Sequence, residues 1–198
     1  SIQGTINNPN YPNIILENLN EQHQAVVQNG QFVFNLQLDQ PAIFKIRYGR
    51  RSGMIFINPG DNVNFSTSAS QFSQVMNFSG DRAIENNYLT QKVNNDIKAK
   101  SLKVKTYKLE EQEFVADVLT GKQSNLGDFQ LFCEKNDIDP FFKSIIETEI
   151  EYEWANDMLV YPLYHKFYTK KEEFEVSPVY YDFHRNLDKD NPSKLLSP

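Results

Sequence analysis

The side chains best able to do chemistry in this 198-residue chain are a run of carboxylates, three histidines and one cysteine. Glu147, Glu149, Glu151 and Glu153 alternate along one stretch, and Glu149, Glu153 and Asp157 share a helix face at i, i+4 and i+8. Carboxylates held together raise one another's pKa and attract a cation. No histidine lies one turn away to complete a transition-metal set, and a hard cation needs more oxygens, so the stretch reads as a solvated acidic face. His165 follows Tyr164 just beyond Pro162, and His184 closes Tyr180-Tyr181-Asp182-Phe183-His184. Neither belongs to an H-E-x-x-H or C-x-x-H pattern, so both read as satisfied or surface histidines. Cys133 stands beside Phe129 and Phe132 at i, i+3, i+4 spacing, which suits a small core residue better than a nucleophile in an electropositive setting. One cysteine excludes an internal disulfide and a C-x-x-C pair. Asp188 and Asp190 begin like a calcium loop, but Pro192 occupies the third ligand position and the glycine is missing. Asn64-Phe65-Ser66 and Asn77-Phe78-Ser79 match the glycosylation triplet, and no G-x-S-x-G, P-loop or G-x-G-x-x-G is present. No catalytic, cofactor-binding or metal-ligating residue is assigned.

Composition narrows the function further. Hydrophobic residues make up 39% and charged residues 23%, a globular balance, and 15 Phe with 10 Tyr supply large buried areas. The net charge is −6, and the densest basic stretch, Lys98, Lys100, Lys103, Lys105 and Lys108, lacks Arg and interleaved aromatics. That argues against nucleic-acid binding, which rests on clustered Lys and Arg. No apolar run approaches the ~20 residues that cross a bilayer. The chain opens at Ser1 rather than Met, which fits a mature or an engineered start and is compatible with a removed export signal.

The elements that must position these groups change character near Gly80. Before it, short β-prone runs alternate with turns: Ile2–Ile6, Asn13–Leu19, Gln24–Val27, Gln31–Leu38, Ala42–Tyr48, Met54–Ile57, Asn62–Ser66 and Val75–Ser79. Asn29-Gly30 predicts a two-residue type I′ hairpin joining Gln24–Val27 to Gln31–Leu38. Phe32, Phe34, Leu36 and Leu38 then form one buried face, with Val33 the lone apolar residue opposite. Gly49 to Gly53 makes a basic turn with Arg50 and Arg51. Pro59-Gly60-Asp61 predicts a structural turn of type II, with Gly60 at positive φ. After Gly80 the period lengthens. Asp81 predicts an N-cap for a helix ending near Lys100, and Leu109–Leu119 a second helix stopping before Gly121. Asp128 predicts the cap of a third. Asp139-Pro140 starts the longest, with a stripe of Phe142, Ile145, Ile146, Ile150, Trp154, Met158 and Tyr161. Pro162 predicts a kink or end near Tyr161. The tail carries aromatics and a turn-rich stop at Asp188–Pro192. The expected fold class is α+β: an antiparallel β-sandwich domain over residues 1–80, then a helical region over 81–198 packing on or beside it.

The order of these motifs resembles a known family. Ile2-Gln3-Gly4-Thr5-Ile6, Asn29-Gly30-Gln31-Phe32-Val33-Phe34 and Asn58-Pro59-Gly60-Asp61-Asn62-Val63 are similar to the N-terminal module of TlpA-like thiol–disulfide oxidoreductases from Bacteroidetes. Phe78-Ser79-Gly80-Asp81-Arg82-Ala83 with Asn86-Asn87-Tyr88-Leu89 resembles that module's passage into its helices, and the resemblance spans most of residues 1–165. It implies a region preceding a thioredoxin-like domain with C-x-x-C, in an exported and often lipid-anchored protein facing the periplasm. No thioredoxin domain is present in these residues, so the family's catalytic cysteines have no counterpart here.

Three functions are weighed. The first is a non-catalytic accessory region that positions or recruits partners for a C-terminal thioredoxin-like domain of the same polypeptide. The second is a stand-alone extracytoplasmic module binding a glycan or peptide through Tyr161, Tyr164, His165, Tyr168, Tyr180 and Tyr181, residues that would serve equally to pack helices. The third is a hydrolase with a site unrecognisable in sequence. Neither a cofactor nor a nucleic-acid partner is expected, and the membrane enters only through a removed lipid anchor or signal.

Overall fold

Alternating side chains between residues 1 and 80 form eight strands: β1 (Ile2–Asn7), β2 (Asn13–Glu17), β3 (Gln22–Val26), β4 (Gln31–Phe34), β5 (Ala42–Tyr48), β6 (Arg51–Ile57), β7 (Val63–Ser68) and β8 (Asn77–Gly80). The computed structural model describes residues 1–187. The expected turn-rich stop at Asp188–Pro192 therefore lies outside the described residues. The strands make two four-stranded sheets, ordered β4-β1-β7-β8 and β3-β2-β5-β6. All pairs are antiparallel except β1 with β7, where Ile2 lies opposite Val63 in a parallel ladder. Inward-facing residues of both sheets, among them Ile2, Phe34, Phe44, Ile46, Ile55 and Phe65, form one core. With the helices that follow, this is an α+β fold. The described chain divides into two compact units, Ser1–Asp96 with Ile138–Phe142, and Ile97–Asp137 with the residues from Lys143 onward.

The Asn29-Gly30 turn forms, but it does not join a hairpin of long strands. Asn29 and Gly30 both hold positive φ, at 52° and 79°, and Gln28 and Gln31 exchange both backbone bonds at 2.9 Å. Beyond that one bridge the strands part: β3 pairs with β2 in one sheet and β4 with β1 in the other. The turn is a corner between sheets because Phe32 and Phe34 are buried where β4 lies beside β1. The strand also ends at Phe34 rather than Leu38; Leu36 and Leu38 pack against the core from a loop.

Three helices follow: α1 (Ala83–Thr106), α2 (Glu111–Lys135) and α3 (Pro140–Thr169). The start of α1 is held by amides rather than by the expected Asp81 cap. Asp81 gives its carboxylate to the Asn62 N–H at 2.7 Å. Fully buried Asn86 accepts from the Phe56 N–H at 2.7 Å and donates to the Phe56 carbonyl at 2.9 Å. Asn87 repeats the pairing on Phe78, at 3.0 and 3.4 Å. Phe56 and Phe78 lie on β6 and β8, the last strand of each sheet, so two adjacent asparagines occupy backbone groups that sheet edges leave open. Phe56 faces away from the sandwich core and meets Phe142, with ring centroids 5.1 Å apart.

The helix boundaries differ from the sequence expectations in three places. α1 runs past Lys100 to Thr106. The two helices expected on either side of Gly121 are one, α2, which also passes through Gly127 and Asp128. A helical glycine costs about 1 kcal/mol relative to alanine. Fully buried Phe114 and Phe129, near the two ends of α2, offset that cost through packing. α3 continues eight residues beyond Tyr161, through Pro162. Proline removes the N–H that would bond the carbonyl of Met158, and the Tyr180 hydroxyl donates to that carbonyl instead, at 2.7 Å. The freed acceptor is thus satisfied from outside the helix, so the chain need not break there.

Candidate functional site

In the first unit, Gly60 holds φ +85° and the Asp61 N–H reaches the Asn58 carbonyl at 3.2 Å, closing the turn at Pro59. The Asp61 carboxylate accepts from the Asn58 N–H at 2.8 Å and from Arg82 Nε at 3.0 Å. Arg82 Nη1 lies 3.6 Å from buried Glu85 and 3.7 Å from Asp139. Asn58 Nδ2 donates to Asp139 at 2.7 Å, while the other Asp139 oxygen caps α3 through the Phe141 and Phe142 N–H groups, at 2.8 and 3.2 Å. The turn is thereby one corner of an ion cluster that fixes the start of α1 and of α3. The sequence shows Asp61, Arg82 and Asp139 far apart, and only folding makes them neighbours.

In the second unit the tyrosines and histidine considered for ligand binding are largely a core. Tyr161 is fully buried, stacked on Phe114 with centroids 3.8 Å apart, and its hydroxyl donates to the Leu109 carbonyl at 2.8 Å. His165 is fully buried, with Nδ1 3.1 Å from the Tyr107 carbonyl and its ring 4.1 Å from Phe174; its Nε2 has no partner. Facing a carbonyl, Nδ1 carries the proton and donates. Tyr180 is buried over Met158. Tyr168 is half-buried and packs against the same core. Tyr164 and Tyr181 alone of the six are exposed, and Tyr181 joins Leu163, Lys166 and Val176 in lining an open groove of 400 Å³. His184 stacks on Phe183 at 4.3 Å rather than on any partner of His165. The sequence periodicity could not separate a binding platform from a core, since both want aromatics on one helix face.

The acidic face resolves in the same way. Asp157 takes Lys103 Nζ on its two oxygens, at 2.7 and 2.8 Å, and the Tyr107 hydroxyl on one of them at 2.7 Å. Glu151 pairs with Lys122 at 2.6 Å, and Lys122 also lies 4.0 Å from the Trp154 ring. Among the described residues, no group of three or more His, Cys, Asp or Glu side chains is arranged to hold a metal ion. Burial pushes the Cys133 thiol up, away from the reactive thiolate. The triplets at Asn64 and Asn77 lie in paired strands, with Asn64 opposite Ser79 and Ser66 opposite Asn77.

A groove of 490 Å³ lies in the first unit, at residues to which the sequence assigns no binding role. One wall is the β2–β3 turn, where Asn18 Oδ1 accepts from the Asn20 and Glu21 N–H groups at 2.8 and 3.0 Å. The Gln37–Pro41 loop, the start of β5 at Ala42 and Ile43, and Phe141 complete the lining. Amides and carboxylates from Asn20, Glu21, Gln37, Asp39 and Gln40 surround apolar Leu19, Leu38 and Pro41. Clusters of turn-forming residues at 18–21 and 37–41 were the only sequence signal, and such clusters mark every loop.

Comparison with known proteins gives a family and no closer relative. A family model, the domain of unknown function DUF4369, matches residues 1–105, just over half the chain, and the chain belongs to that family. No curated protein and no solved structure matches it. The match covers all eight strands and nearly all of α1. Among the described residues no helix is long and apolar enough to cross a membrane.

Proposed function

We propose that this DUF4369 chain is a non-catalytic binding and positioning region of an exported thiol–disulfide oxidoreductase-like protein, recruiting partners for a C-terminal thioredoxin-like domain of the same polypeptide. The resemblance over residues 1–165 to TlpA-like oxidoreductases of Bacteroidetes supports the setting, which is the periplasm or cell envelope. Attachment to the membrane, in this reading, is through a removed N-terminal signal or lipid anchor. The observation that carries the binding role is the groove between the 18–21 turn and residues 37–43. Its lining mixes donors and acceptors around apolar contacts, which suits a polypeptide segment offering backbone N–H and C=O groups. The same amide-rich lining favours one second reading, a stand-alone extracytoplasmic module for glycans or peptides, because sugar hydroxyls want the same partners.

The test is a titration of the isotope-labelled 198-residue chain, followed by NMR, with a thioredoxin-like domain carrying C-x-x-C, with short extended peptides and with oligosaccharides. Shifts at residues 18–21 and 37–43 on adding the domain or a peptide, lost in Leu19→Asp and Gln40→Ala, are the expected result. Shifts with oligosaccharide alone would install the second reading. Steady-state reduction of insulin by the chain alone would remove the non-catalytic reading.

A further inference from the structure

Resting on the polypeptide reading of the groove, we infer that an extended segment of a partner adds to the free edge of β3. It lies there antiparallel, as a fifth strand, and sends a Lys or Arg into the groove. The ladder between β2 and β3 shows which backbone groups are free to receive it. The Val27 N–H reaches the Pro12 carbonyl at 2.8 Å, and the Asn18 N–H the Glu21 carbonyl at 2.9 Å. Between these two bonds Ala25 lies opposite Ile14 and His23 opposite Leu16. Hydrogen-bonded pairs alternate along an antiparallel ladder, so Ala25 and His23 spend their backbone groups on β2. Gln22, Gln24 and Val26 aim theirs the other way, where β3 is the last strand of its sheet. All three residues are exposed. β4 meets this edge only through the isolated bridge of Gln28 with Gln31.

The chemistry of the edge names its occupant. N–H and C=O groups repeating at strand spacing are matched by another extended backbone. Natural edges are guarded by Lys, Pro, bulges or covering elements. In this sandwich Asn86 occupies the β6 edge at Phe56, and Asn87 the β8 edge at Phe78. β3, with the sequence Gln-His-Gln-Ala-Val, carries neither Lys nor Pro and has no such amide clip. Its first residue follows Glu21, which lines the groove, so edge and groove are continuous. An antiparallel segment runs from Val26 toward Gln22, and its C-terminal side enters the groove. The lining there contains Glu21 and Asp39 and neither Lys nor Arg. Glu21 is held by His23 at 2.6 Å, which leaves exposed Asp39 for a cation on the segment. A basic residue at the C-terminal end of the added strand is therefore the complementary one.

The test is an NMR titration of the isotope-labelled 198-residue chain with the acetylated, amidated peptide Thr-Val-Thr-Val-Thr-Lys. Amide exchange at Gln22, Gln24 and Val26 is expected to slow by about tenfold or more at saturation. Shifts at residues 18–21 and 37–43 accompany it. Gln24→Pro removes an outward N–H while leaving the β2 ladder intact. Checked for an unchanged melting temperature, it weakens binding by about tenfold or more. Asp39→Asn, or Glu in place of the peptide's Lys, also weakens it. Methylating the backbone nitrogens of one alternate set of peptide residues abolishes binding, and methylating the other set does not. Shifts confined to residues 18–21 and 37–43, with exchange along β3 unchanged, overturn the added strand and leave the groove reading standing. A peptide that shifts nothing overturns the strand as well, while the response to the thioredoxin-like domain still decides the groove. Slowing of the three amides on concentrating the chain without peptide gives the edge to a second copy and overturns the inference. So does equal tolerance of both methylated peptides.

Discussion

Tyr180 donates its hydroxyl to the carbonyl of Met158 at 2.7 Å, the acceptor that Pro162 leaves without its helical donor. A residue eighteen positions beyond the proline thus completes the hydrogen-bond ladder of α3. The side chain doing so is 5% exposed, so water does not substitute for it.

Tyr180→Phe is therefore expected to destabilise the chain by about 1–3 kcal/mol, the cost of a buried carbonyl left unpaired. In a Pro162→Ala background the helix regains its own N–H, and the same substitution should cost markedly less. Urea denaturation of the four chains of this cycle measures the coupling. Equal costs in both backgrounds would separate the hydroxyl from the proline.

Asn86→Ala removes the partner of both backbone groups of Phe56 at a fully buried position, so a loss of about 2–4 kcal/mol is expected. Asn87→Ala acts on Phe78 at a half-buried position and should cost about 1 kcal/mol. Amide exchange at Phe56 should accelerate in Asn86→Ala and stay unchanged in Asn87→Ala.

Gly60 and Gly4 are needed for different reasons. A Cβ at Gly60 meets nothing within 4 Å, so Gly60→Val is penalised only by its φ of +85°, by about 1 kcal/mol or more. At Gly4 a Cβ would stand 2.5 Å from the Phe65 carbonyl oxygen and 2.8 Å from the Phe32 ring, so Gly4→Ala should cost about 1–3 kcal/mol by overpacking. Asn at position 60, which tolerates positive φ, should recover much of the loss there; Ser at position 4 should recover none. Thermal melts of the four variants decide it.

Burial, and then the hydrogen bond to Asp157, push the Tyr107 hydroxyl far above the ordinary tyrosine value. Burial does the same to Tyr161 and Tyr180. The folded state holds these groups neutral, so their contribution is complete below about pH 10, the ordinary tyrosine pKa. As pH rises past that value the unfolded chain ionises and the folded chain does not, and stability falls. Tyrosinate absorbance should show Tyr107, Tyr161 and Tyr180 silent until a cooperative unfolding step, followed by circular dichroism. Ten tyrosines ionising together in a chain that stays folded would contradict the burial.

A dithiol reductase needs one thiolate to attack and a second to resolve, and the chain has one sulfhydryl, at Cys133. No catalysed reduction of insulin is expected from it at any pH where it is folded. Burial also predicts slow reaction of Cys133 with a disulfide reagent at neutral pH, accelerating on denaturation. Turnover lost in Cys133→Ser would reverse both expectations.

The sequence by itself determined what depends on neighbours along the chain. Alternation at Phe32 and Phe34, positive φ at Gly60 and Asn29-Gly30, and Pro140 at the start of α3 each rest on local backbone chemistry, and each stands in the structure as read. What tertiary structure decided is everything that a distant group had to satisfy. The Asn29-Gly30 turn forms locally, yet sheet partners elsewhere send β3 and β4 to different sheets. Gly121 lies inside a helix because Phe114 and Phe129 are buried, and Pro162 does so because Tyr180 supplies the missing donor. The same limit applies to the candidate sites. An aromatic stripe carries the same period whether it is a core or a platform, and only packing shows that Tyr161 and His165 are inside while Leu163 and Phe167 face water. The groove at 18–21 and 37–41 joins two loops whose sequences name turns and nothing more. Local rules set the conformation of each segment; burial and hydrogen-bond satisfaction across the chain set what each segment meets.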